Sequence, residues 1–373
     1  MSKTPLKIAI VGCGGMGSGH ARAISGAGTY TDQLTYDAYQ QGQIEVSNLA
    51  EKLVLAGIYD IDPVRVQWAQ ESGFHIYKDY EDMLADPEVD IILIALPNHL
   101  HKDHAIRAMR AGKHVLCEKP VMMNSQDLVD VMEVAKETGK IFYPRQNRRW
   151  DKDYLTIKKI YDEGTIGKTF NIECRIMGSR GIPGDWRGIK EYGGGMMLDW
   201  GVHILDRLLM MVPEKIKHVF CANYYITNKE CEDNLKIHLT FESGITAVME
   251  VATCHFVNLP LWYLAGDHGS AVINSWNCDG KIMKLTSWED KDATPILAGE
   301  GLTKTMAPRA ANTVEELPLP EVVVDRNALY VNLVDTINGE AEQLVTAEQA
   351  LRCLRLMEAC FESAEKHTVV NFE

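Results

Sequence analysis

The first part of the chain alternates short apolar runs with segments of helical periodicity. Apolar runs that predict strands cover residues 7–11, 52–59, 91–96, 114–117 and 141–143. Segments with apolar residues on one helical face lie between them, at 16–24, 64–72, 80–84, 102–110 and 125–136. Strands that alternate with helices indicate a parallel sheet covered on both faces. We therefore predict an α/β fold that begins with a doubly wound parallel sheet.

Beyond residue 150 the pattern changes to longer strands that follow one another without helices between them. These predicted strands cover residues 169–176, 219–227, 235–241, 246–251 and 271–274, an order that is typical of antiparallel sheets. A final helix over 346–366 begins with a Thr-x-x-Gln capping box at Thr346 and Gln349. The sequence thus predicts two domains, with residues 1–145 in the doubly wound domain and residues 146–373 in an α+β domain with a largely antiparallel open sheet.

Charge and composition exclude several classes of protein. The 373-residue chain has 38 Lys and Arg residues against 52 Asp and Glu residues, a net charge of -14. It has no basic run that could bind a phosphate backbone, so nucleic acid is not an expected partner. No apolar run reaches the ~18 residues of a membrane span, and the N-terminus passes into the first strand without a signal-peptide core. We expect a cytoplasmic protein with no membrane contact.

A glycine-rich turn follows the first strand at once. Gly12, Gly14 and Gly17 fit the pattern G-x-G-x-x-G and open a predicted helix, so N–H groups at a helix N-terminus can hold a pyrophosphate. Asp60 ends the second apolar strand, where a carboxylate can bind both ribose hydroxyls of NAD and repel the 2′-phosphate of NADP. This order predicts a Rossmann dinucleotide-binding domain with NAD as the cofactor and NADP as the less suitable one.

One spacing departs from this fingerprint. Asp60 lies 43 residues after Gly17, although about 20 residues usually separate the third glycine from the acidic residue. The excess coincides with a polar, glycine-punctuated stretch over residues 28–48. We interpret this stretch as an inserted loop or hairpin after the first helix. A chance cluster of glycines in another α/β fold is the alternative interpretation of the turn.

A histidine-rich segment offers a competing hypothesis. His99, His101, Asp103 and His104 fit the pattern H-x-H-x-D-H, which resembles the metallo-β-lactamase superfamily and could hold zinc that activates water for hydrolysis. The sequence shows no further ligands downstream in a recognisable pattern. We favour the interpretation that a strand ends before these histidines and that they begin a helix, so no metal site is predicted.

Two segments carry candidates for catalysis. Glu118 and Lys119 follow the fourth predicted strand, and ligands of open α/β sheets bind beyond the carboxyl ends of the strands. Asp199 and His203 follow a triple glycine and, in a helix, would stand at positions i and i+4 on one face. A lysine with an aspartate and a histidine beside a nicotinamide is suited to the oxidation of a secondary alcohol.

These motifs resemble those of the Gfo/Idh/MocA family, the relatives of glucose-fructose oxidoreductase and inositol dehydrogenase. The resemblance rests on the glycine turn, Asp60, the final helix and the stretches 94–99, 118–120, 147–149, 185–187 and 193–203. It implies a Rossmann domain and an open-sheet domain that binds substrate and forms homo-oligomers, either dimers or tetramers. It also implies that the cofactor contacts Gly12, Gly14, Gly15, Met16, Gly17, Asp60, Leu96, Pro97, Asn98, His101, Glu118, Lys119, Arg148, Trp186 and Arg187.

The resemblance further implies catalytic roles for Lys119, Asp199 and His203. We hypothesise that His203 takes the hydroxyl proton as hydride leaves for the nicotinamide, since the unperturbed pKa of histidine lies near neutrality. Lys119 would stabilise the developing alkoxide. Asp199 would bind a neighbouring hydroxyl and favour the charged form of His203.

The implied substrates are sugars, glycosides and polyols, because no compact arginine cluster demands a phosphorylated or carboxylated substrate. Within this group a glucoside 3-dehydrogenase is favoured over an inositol 2-dehydrogenase. Two other functions stay open: an NAD-dependent glycosidase on the same scaffold, which would consume no net NAD, and a regulatory protein that binds NAD without chemistry. The zinc hydrolase is the most distant alternative. Aromatic residues that could stack on a sugar, although aromatics in strands usually belong to the core, are Trp150, Trp262, Tyr263 and Trp276.

Overall fold

The structure, a computed structural model, describes residues 4–26, 44–287 and 309–373. Its strands within these ranges are, in chain order, β1 (Leu6–Val11), β2 (Ile44–Glu45), β3 (Leu53–Tyr59), β4 (Ile91–Ile94), β5 (His114–Cys117), β6 (Phe142–Pro144), β7 (Thr169–Met177), β8 (Ile216–Tyr224), β9 (Asn234–Phe241), β10 (Thr246–Ala252), β11 (Trp262–Gly266), β12 (Gly269–Ile273), β13 (Gly280–Leu285), β14 (Val314–Leu317), β15 (Val324–Asp325) and β16 (Val370–Asn371). Its helices are α1 (Gly15–Ile24), α2 (Pro63–Glu71), α3 (Tyr80–Ala85), α4 (His101–Arg110), α5 (Ser125–Thr138), α6 (Lys152–Asp162), α7 (Val202–Met211), α8 (Ala328–Ile337) and α9 (Ala347–Lys366).

The first sheet is parallel throughout, with its strands in the order β3-β1-β4-β5-β6. Successive residues of β1 face opposite sides, so Ile8 and Ile10 pack with α1 and α8 while Ala9 and Val11 pack with α4 and α5. Because helices cover both faces, these strands are continuous apolar runs. The predicted doubly wound parallel sheet is confirmed.

The second sheet has nine strands in the order β14-β13-β12-β11-β7-β10-β9-β8-β16. Its neighbours are antiparallel except β7 and β10, which run parallel. Helices α6, α7 and α9 pack on one face. Residues of β8 alternate with the pleat, so Val219 and Cys221 are buried under the helices and Phe220 and Tyr224 are exposed on the opposite face. The predicted open, largely antiparallel sheet is confirmed.

Helix α9 connects the two sheets. It begins with the predicted capping box, in which Gln349 N donates to Thr346 Oγ1 at 3.3 Å and Thr346 N donates to Gln349 Oε1 at 3.1 Å. The helix packs on α5 of the first layer and on α7 and β8 of the second. Although α9 is the longest helix, neither it nor any other helix in the described ranges is long and apolar enough to cross a membrane.

The C-terminal third of the chain also contributes to the first sheet. Helix α8 places Leu329 and Leu333 in the core beneath β1, and β15 pairs in parallel with β2. Most of the predicted insertion, through residue 43, lies outside the described residues, and its last residues include β2. The boundary between residues 145 and 146 stays a prediction.

Candidate active site

A cavity of about 1030 Å³ opens at the carboxyl ends of the parallel strands. Parallel strands end at one edge of their sheet, and the loops that follow them form a crevice there. We call this space the cofactor cavity. The predicted site residues that line it are Gly12, Gly14, Gly15, Met16, Asp60, Leu96, Pro97, Asn98, Glu118, Lys119, Trp186, Arg187 and Asp199.

The glycine turn shapes one wall of the cofactor cavity. Gly12 has φ +89°, and a Cβ there would lie 2.5 Å from the carbonyl oxygen of Ala95. A Cβ at Gly14 or Gly15 would meet only open space, and Gly14 caps α1 without a side chain. The N–H groups of the first helical turn therefore face a space free of side chains, as binding of a pyrophosphate requires. The turn fits a dinucleotide.

The carboxylate of Asp60 is held at the end of β3, where it lines the cofactor cavity. Its Oδ2 accepts a hydrogen bond from Cys13 N at 2.5 Å, and its Oδ1 accepts one from Asp62 N at 2.8 Å. Both oxygens keep lone pairs for further donors. Arg65 of α2 lines the same cavity, and no sequence motif identifies it as a site residue.

Lys119 and Asp199 meet across the cavity. Lys119 Nζ donates to Asp199 Oδ1 at 2.7 Å and to the Asp199 carbonyl oxygen at 2.7 Å. Both side chains are only 16% exposed, so water competes little for this ion pair. Arg187 Nε lies 3.5 Å from Asp199 Oδ2. The Asp199 carboxylate is thus bracketed by two cations.

The segment that carries Asp199 is a π-helical turn, Met197–Gly201, which leads into α7. Such turns have i→i+5 hydrogen bonds and are frequent at functional sites. Buried Glu232 fixes the start of the turn, because its Oε1 accepts from Met197 N at 2.9 Å. Gly195 precedes the turn with φ +107°, and a Cβ there would lie 2.5 Å from Glu232 Oε1. The predicted regular helix through Asp199 is therefore replaced by a wider turn.

His203 is buried on α7, with 4% of the residue exposed, and its ring lies edge-on to Trp200 with centroids 5.7 Å apart. In the described ranges its Nδ1 has no hydrogen-bond partner. Burial, followed by the charges of Lys119 and Arg148, lowers the pKa of His203 well below its usual value. The expectation that Asp199 favours the charged form is wrong, because that carboxylate binds Lys119 and the charges acting on His203 are positive. The imidazole is neutral at pH 7.

A second cavity of about 620 Å³ adjoins the first, and Asp199 lines both. Trp200 and Trp276 also line it. The guanidinium carbon of Arg148 lies 4.3 Å from the ring centroid of Trp200 and 5.2 Å from that of Trp276, and Asp151 holds this arginine at 2.7 Å. Arg148 therefore faces the second cavity, and the expectation that it contacts the cofactor is corrected.

Two other expected cofactor contacts lie behind the cavity walls. A Cβ at Gly17 would overlap the carbonyl oxygen of Gly12, so Gly17 allows close packing of α1. His101 is fully buried, with Nδ1 2.9 Å from the Pro120 oxygen and Nε2 2.9 Å from the Leu96 oxygen. The expected contact of His101 with the cofactor is therefore wrong, because the imidazole holds the loops after β4 and β5 from below.

The histidine-rich segment turns its side chains in different directions. His99 stacks on Tyr192 with ring centroids 4.6 Å apart, whereas His104 Nδ1 contacts a backbone carbonyl of its own helix at 2.9 Å. Asp103 pairs with Arg107 at 3.1 Å. Across residues 4–26, 44–287 and 309–373, no group of three or more His, Cys, Asp or Glu residues could hold a metal ion. The zinc hypothesis therefore lacks its ligand cluster in these ranges.

Known proteins resemble both parts of the chain. Residues 6–146 match an oxidoreductase family with an NAD-binding Rossmann fold, GFO/IDH/MocA, and residues 154–272 match the GFO/IDH/MocA C-terminal domain. Among solved structures, an NAD-binding protein from Listeria innocua has 42% sequence identity and a TM-score of 0.89, and the alignment covers 99% of this chain and 100% of that one.

Two named relatives act on inositols. The scyllo-inositol 2-dehydrogenase (NADP(+)) IolW of Bacillus subtilis (strain 168) is 26% identical over 303 residues, which cover 79% of this chain and 82% of IolW. The myo-inositol 2-dehydrogenase of Thermotoga maritima is 28% identical over 218 residues, which cover 56% of this chain and 64% of that protein. The resemblance found in the motifs is confirmed, and the chain belongs to the Gfo/Idh/MocA family of NAD(P)-dependent oxidoreductases.

Proposed function

We propose that the protein is an NAD-dependent dehydrogenase that oxidises a secondary hydroxyl of a sugar, glycoside or polyol. The observation that carries this proposal is the contact between Lys119 Nζ and Asp199 Oδ1, 2.7 Å long, where the cofactor cavity adjoins the second cavity. A substrate in the second cavity could reach these two side chains while a dinucleotide occupies the first.

The side chains around this contact supply hydrogen bonds and a base, and bound NAD would supply the hydride acceptor. Lys119 donates a hydrogen bond to the substrate oxygen and stabilises the negative charge that develops there. Asp199 keeps Lys119 in place and accepts a hydrogen bond from a neighbouring hydroxyl. His203 accepts the hydroxyl proton, since its lowered pKa keeps the imidazole neutral.

The second cavity supports a substrate with a sugar-like ring. The indoles of Trp200 and Trp276 line it, and flat aromatic faces suit the C–H face of a pyranose. Trp276 is 48% exposed, whereas Trp262 is fully buried and donates to Asp153 at 2.8 Å. A volume of about 620 Å³ leaves space beside one sugar ring. This space supports a glucoside 3-dehydrogenase, and the inositol-acting relatives support an inositol 2-dehydrogenase as the second candidate.

The position of Asp60 supports NAD rather than NADP as the preferred cofactor. Its carboxylate faces the cofactor cavity beside the glycine turn, where it can bind ribose hydroxyls and repel a 2′-phosphate. Arg65 lines the same cavity and acts in the opposite sense. The name of the relative IolW gives NADP(+) as its cofactor. We infer that the preference of this chain depends on the balance between Asp60 and Arg65.

The two parts of the chain contribute different groups to the proposed reaction. Residues 1–145 provide most of the cofactor cavity and Lys119, and residues 146–373 provide Asp199, His203 and the part of the cavity wall formed by Trp186 and Arg187.

The open face of the nine-stranded sheet carries exposed Phe220 and Tyr224 beside the ion pairs of Arg175 with Glu173 and of Lys236 with Glu250. A large face that no helix covers supports assembly into a homo-oligomer, a dimer or a tetramer, because such a face can pair with its own copy.

A substrate screen tests the proposed function. Sugars, glycosides and inositols are offered in two arms. With added NAD, the absorbance of reduced nicotinamide is followed. Without added NAD, an external carbonyl acceptor is supplied in case the cofactor is retained, and the reduced acceptor is measured because it takes the hydride from the nicotinamide. Lys119→Ala and His203→Ala should each lower kcat at least about a hundredfold and leave NAD affinity nearly unchanged. Lys102→Ala is the matched control, because Lys102 makes an ion pair of the same length, 2.7 Å, with Asp127 away from both cavities.

Two results would contradict the proposal. One is wild-type turnover in both active-site variants. The other is the absence, with every compound, of both a nicotinamide signal in the first arm and reduced acceptor in the second. Product analysis by mass separates the remaining alternative, because an NAD-dependent glycosidase releases a sugar and an aglycone without net consumption of NAD.

A further inference from the structure

Three buried side chains and the mostly buried Arg145, whose side chain is 13% exposed, come from four separate places in the chain and meet behind Lys119. They are His20 on α1, Glu118 after β5, Arg145 after β6 and Tyr330 on α8. His20 Nε2 lies 2.7 Å from Glu118 Oε1, and His20 Nδ1 lies 2.5 Å from Tyr330 Oη. Arg145 pairs with Glu118, with Nη1 2.9 Å from Glu118 Oε1, and its charge acts on the Tyr330 phenol. We call this set of four the Glu118 ring.

The protonation states of Glu118, His20 and Tyr330 fit one another, although Arg145 Nε has no hydrogen-bond partner in the described ranges. Burial opposes ionisation of Glu118, but Arg145 and His20 outweigh it and lower the pKa of Glu118 to about 2. Burial and the charge of Arg145 lower the pKa of His20, so this imidazole is neutral. The Glu118 carboxylate therefore accepts from His20 Nε2–H, and His20 Nδ1 accepts from the Tyr330 hydroxyl. The positive charge of Arg145 acts on both His20 and Tyr330.

The Glu118 ring is attached directly to the proposed catalytic lysine. Glu118 Oε2, the oxygen opposite His20, accepts from the backbone N–H of Lys119 at 3.1 Å. Glu118 also lines the cofactor cavity, and His20 lies on the helix whose N-terminus forms the glycine turn. A shift of the Glu118 carboxylate would move the Lys119 backbone, and with it the contact of Lys119 with Asp199.

We propose that His20, Arg145 and Tyr330 are positioning residues, which orient Glu118 so that Lys119 stays aligned with Asp199. This inference rests on the proposed role of Lys119 in the reaction. Tyr330 is its most distinctive member, because α8 belongs to the C-terminal part of the chain and reaches the lysine only through His20 and Arg145.

Tyr330→Phe tests the proposal by removing one hydroxyl. His20 Nδ1 then loses its hydrogen-bond donor. The charged groups that still face His20 are anionic Glu118 and cationic Arg145. Protonation of His20 becomes easier. The hydrogen bond from the Tyr330 hydroxyl to Nδ1, which only the neutral ring can accept, is lost, whereas an imidazolium can still donate to Glu118. Burial and Arg145 still lower the pKa of His20 in the variant, so we expect its ring carbon NMR resonance to titrate at a higher pH than in the wild type.

Two further readouts report on Lys119 itself. Acetylation of Lys119, followed by peptide mass spectrometry, needs no substrate and should be at least about threefold faster in Tyr330→Phe, because the amine leaves Asp199 more often. With a turnover substrate, kcat should fall at least about tenfold, as expected for a misplaced reacting group. The acid limb of kcat/KM should move to higher pH, and NAD affinity should change by less than about twofold.

Tyr143→Phe is the matched control. Tyr143 is fully buried on β6, and its hydroxyl donates to Asn332 Oδ1 of α8 at 2.6 Å. Like Tyr330, it joins α8 to the end of the first sheet, but it does not belong to the Glu118 ring. This variant should lose melting temperature as Tyr330→Phe does, with the His20 resonance, the Lys119 acetylation rate and the pH profile unchanged. His20→Gln, which keeps a donor for Glu118 and an acceptor for Tyr330, should retain more activity than His20→Leu.

The results separate this inference from the proposed function. Equal Lys119 acetylation and equal His20 titration in Tyr330→Phe and Tyr143→Phe would overturn the positioning role. Faster acetylation and titration of His20 at a higher pH in Tyr330→Phe alone would support it. If no compound is turned over by the wild type, the proposed reaction fails, whereas the acetylation and NMR readouts still decide whether the Glu118 ring positions Lys119.

Discussion

The Asp60 carboxylate is oriented by the protein before any cofactor arrives. Its two oxygens accept from Cys13 N and Asp62 N, so the side chain has little freedom left to lose when it meets a ribose. An acceptor that is already fixed contributes more to selectivity than a mobile one, because binding costs less side-chain entropy. If Asp60 has the proposed role, cofactor choice would depend on this backbone geometry as much as on a charge.

Replacement of this side chain should change the cofactor preference. In Asp60→Ser, the ratio of NAD affinity to NADP affinity should fall at least about tenfold, equivalent to ~1.4 kcal/mol, as measured by fluorescence titration of both cofactors. Asp62→Ser is the control: Asp62 lines the same cavity but caps α2 through Val64 N. Because serine is an equally good N-cap, this variant should keep its stability and change the ratio less. Tighter binding of NADP than NAD by the wild type would contradict the role of Asp60.

Single residues also show what the sequence can and cannot predict. Lys119 and Asp199 could be placed in one site because a strand end and a glycine-flanked segment limit where they lie. The charge state of His203 could not, since it depends on how deeply α7 is buried and on arginines distant in sequence. Arg148 matched the expected motif, but stacking on two indoles directs it to the second cavity. Tyr330 carries no local signal at all.

At the level of elements, the π-helical turn Met197–Gly201 positions Asp199. The turn is held at its start by Glu232, which is buried and whose pKa is raised by that burial. Gly195 leaves room for the Glu232 carboxylate, so the glycine before the turn is required for space as well as for its positive φ. A small change here should reach the active site through the backbone.

Gly195→Ala should therefore lower both stability and activity. The left-handed backbone costs about 1 kcal/mol for alanine, and displacement of Glu232 should add about 1–3 kcal/mol and reduce kcat at least about tenfold. Gly244→Ala provides the comparison, because Gly244 has φ +90° and a Cβ there would meet nothing within 4 Å. Thermal unfolding and turnover of the two variants separate backbone strain from the Glu232 contact. Equal effects would show that Glu232 does not position the turn.

Elements with a clear periodicity were predictable, and elements without it were not. Helix α9 has a capping box and one apolar face, and its start at Thr346 is confirmed. Helix α7 is buried on nearly all sides, so it lacks the polar face by which an amphipathic helix is recognised. The second sheet was predicted from its longer strands. Strand β11 was missed although it is apolar, and β13 and β14 mix charged with apolar residues, so no apolar run marks them.

For the molecule as a whole, buried histidines should make stability sensitive to acid. The pKa values of His20 and His203 are lowered by burial, and burial lowers that of His114 to about 4. Above pH 6.5 these groups are neutral in both the folded and the unfolded chain. As the pH falls below 6.5, the unfolded chain binds protons that the folded chain does not, so the free energy of unfolding decreases. Asp151 and Glu232, whose pKa values are raised by burial, act in the opposite sense.

We expect the free energy of unfolding to be about 2–4 kcal/mol lower at pH 5.5 than at pH 7.5, since each fully buried histidine contributes up to ~1.4 kcal/mol over that interval. Urea unfolding at both pH values measures the difference. His114→Gln, which keeps an acceptor for Ile141 N, should reduce the difference by about 1 kcal/mol or less, because His114 is only partly buried. Stability that is constant or rises on acidification would contradict this account.

Helix α8 gives the chain a particular order of assembly. The ribosome releases the strands of the first sheet long before residues 328–337, yet α8 shares with α1 the task of covering one face of that sheet. Until α8 emerges, the nascent sheet presents Ile8, Ile10 and Leu93 to water and to chaperones. The Glu118 ring closes at the same late moment, because Tyr330 arrives with α8. A chain interrupted after the first sheet should therefore expose this apolar face to chaperones and lack the Tyr330 contact of the Glu118 ring.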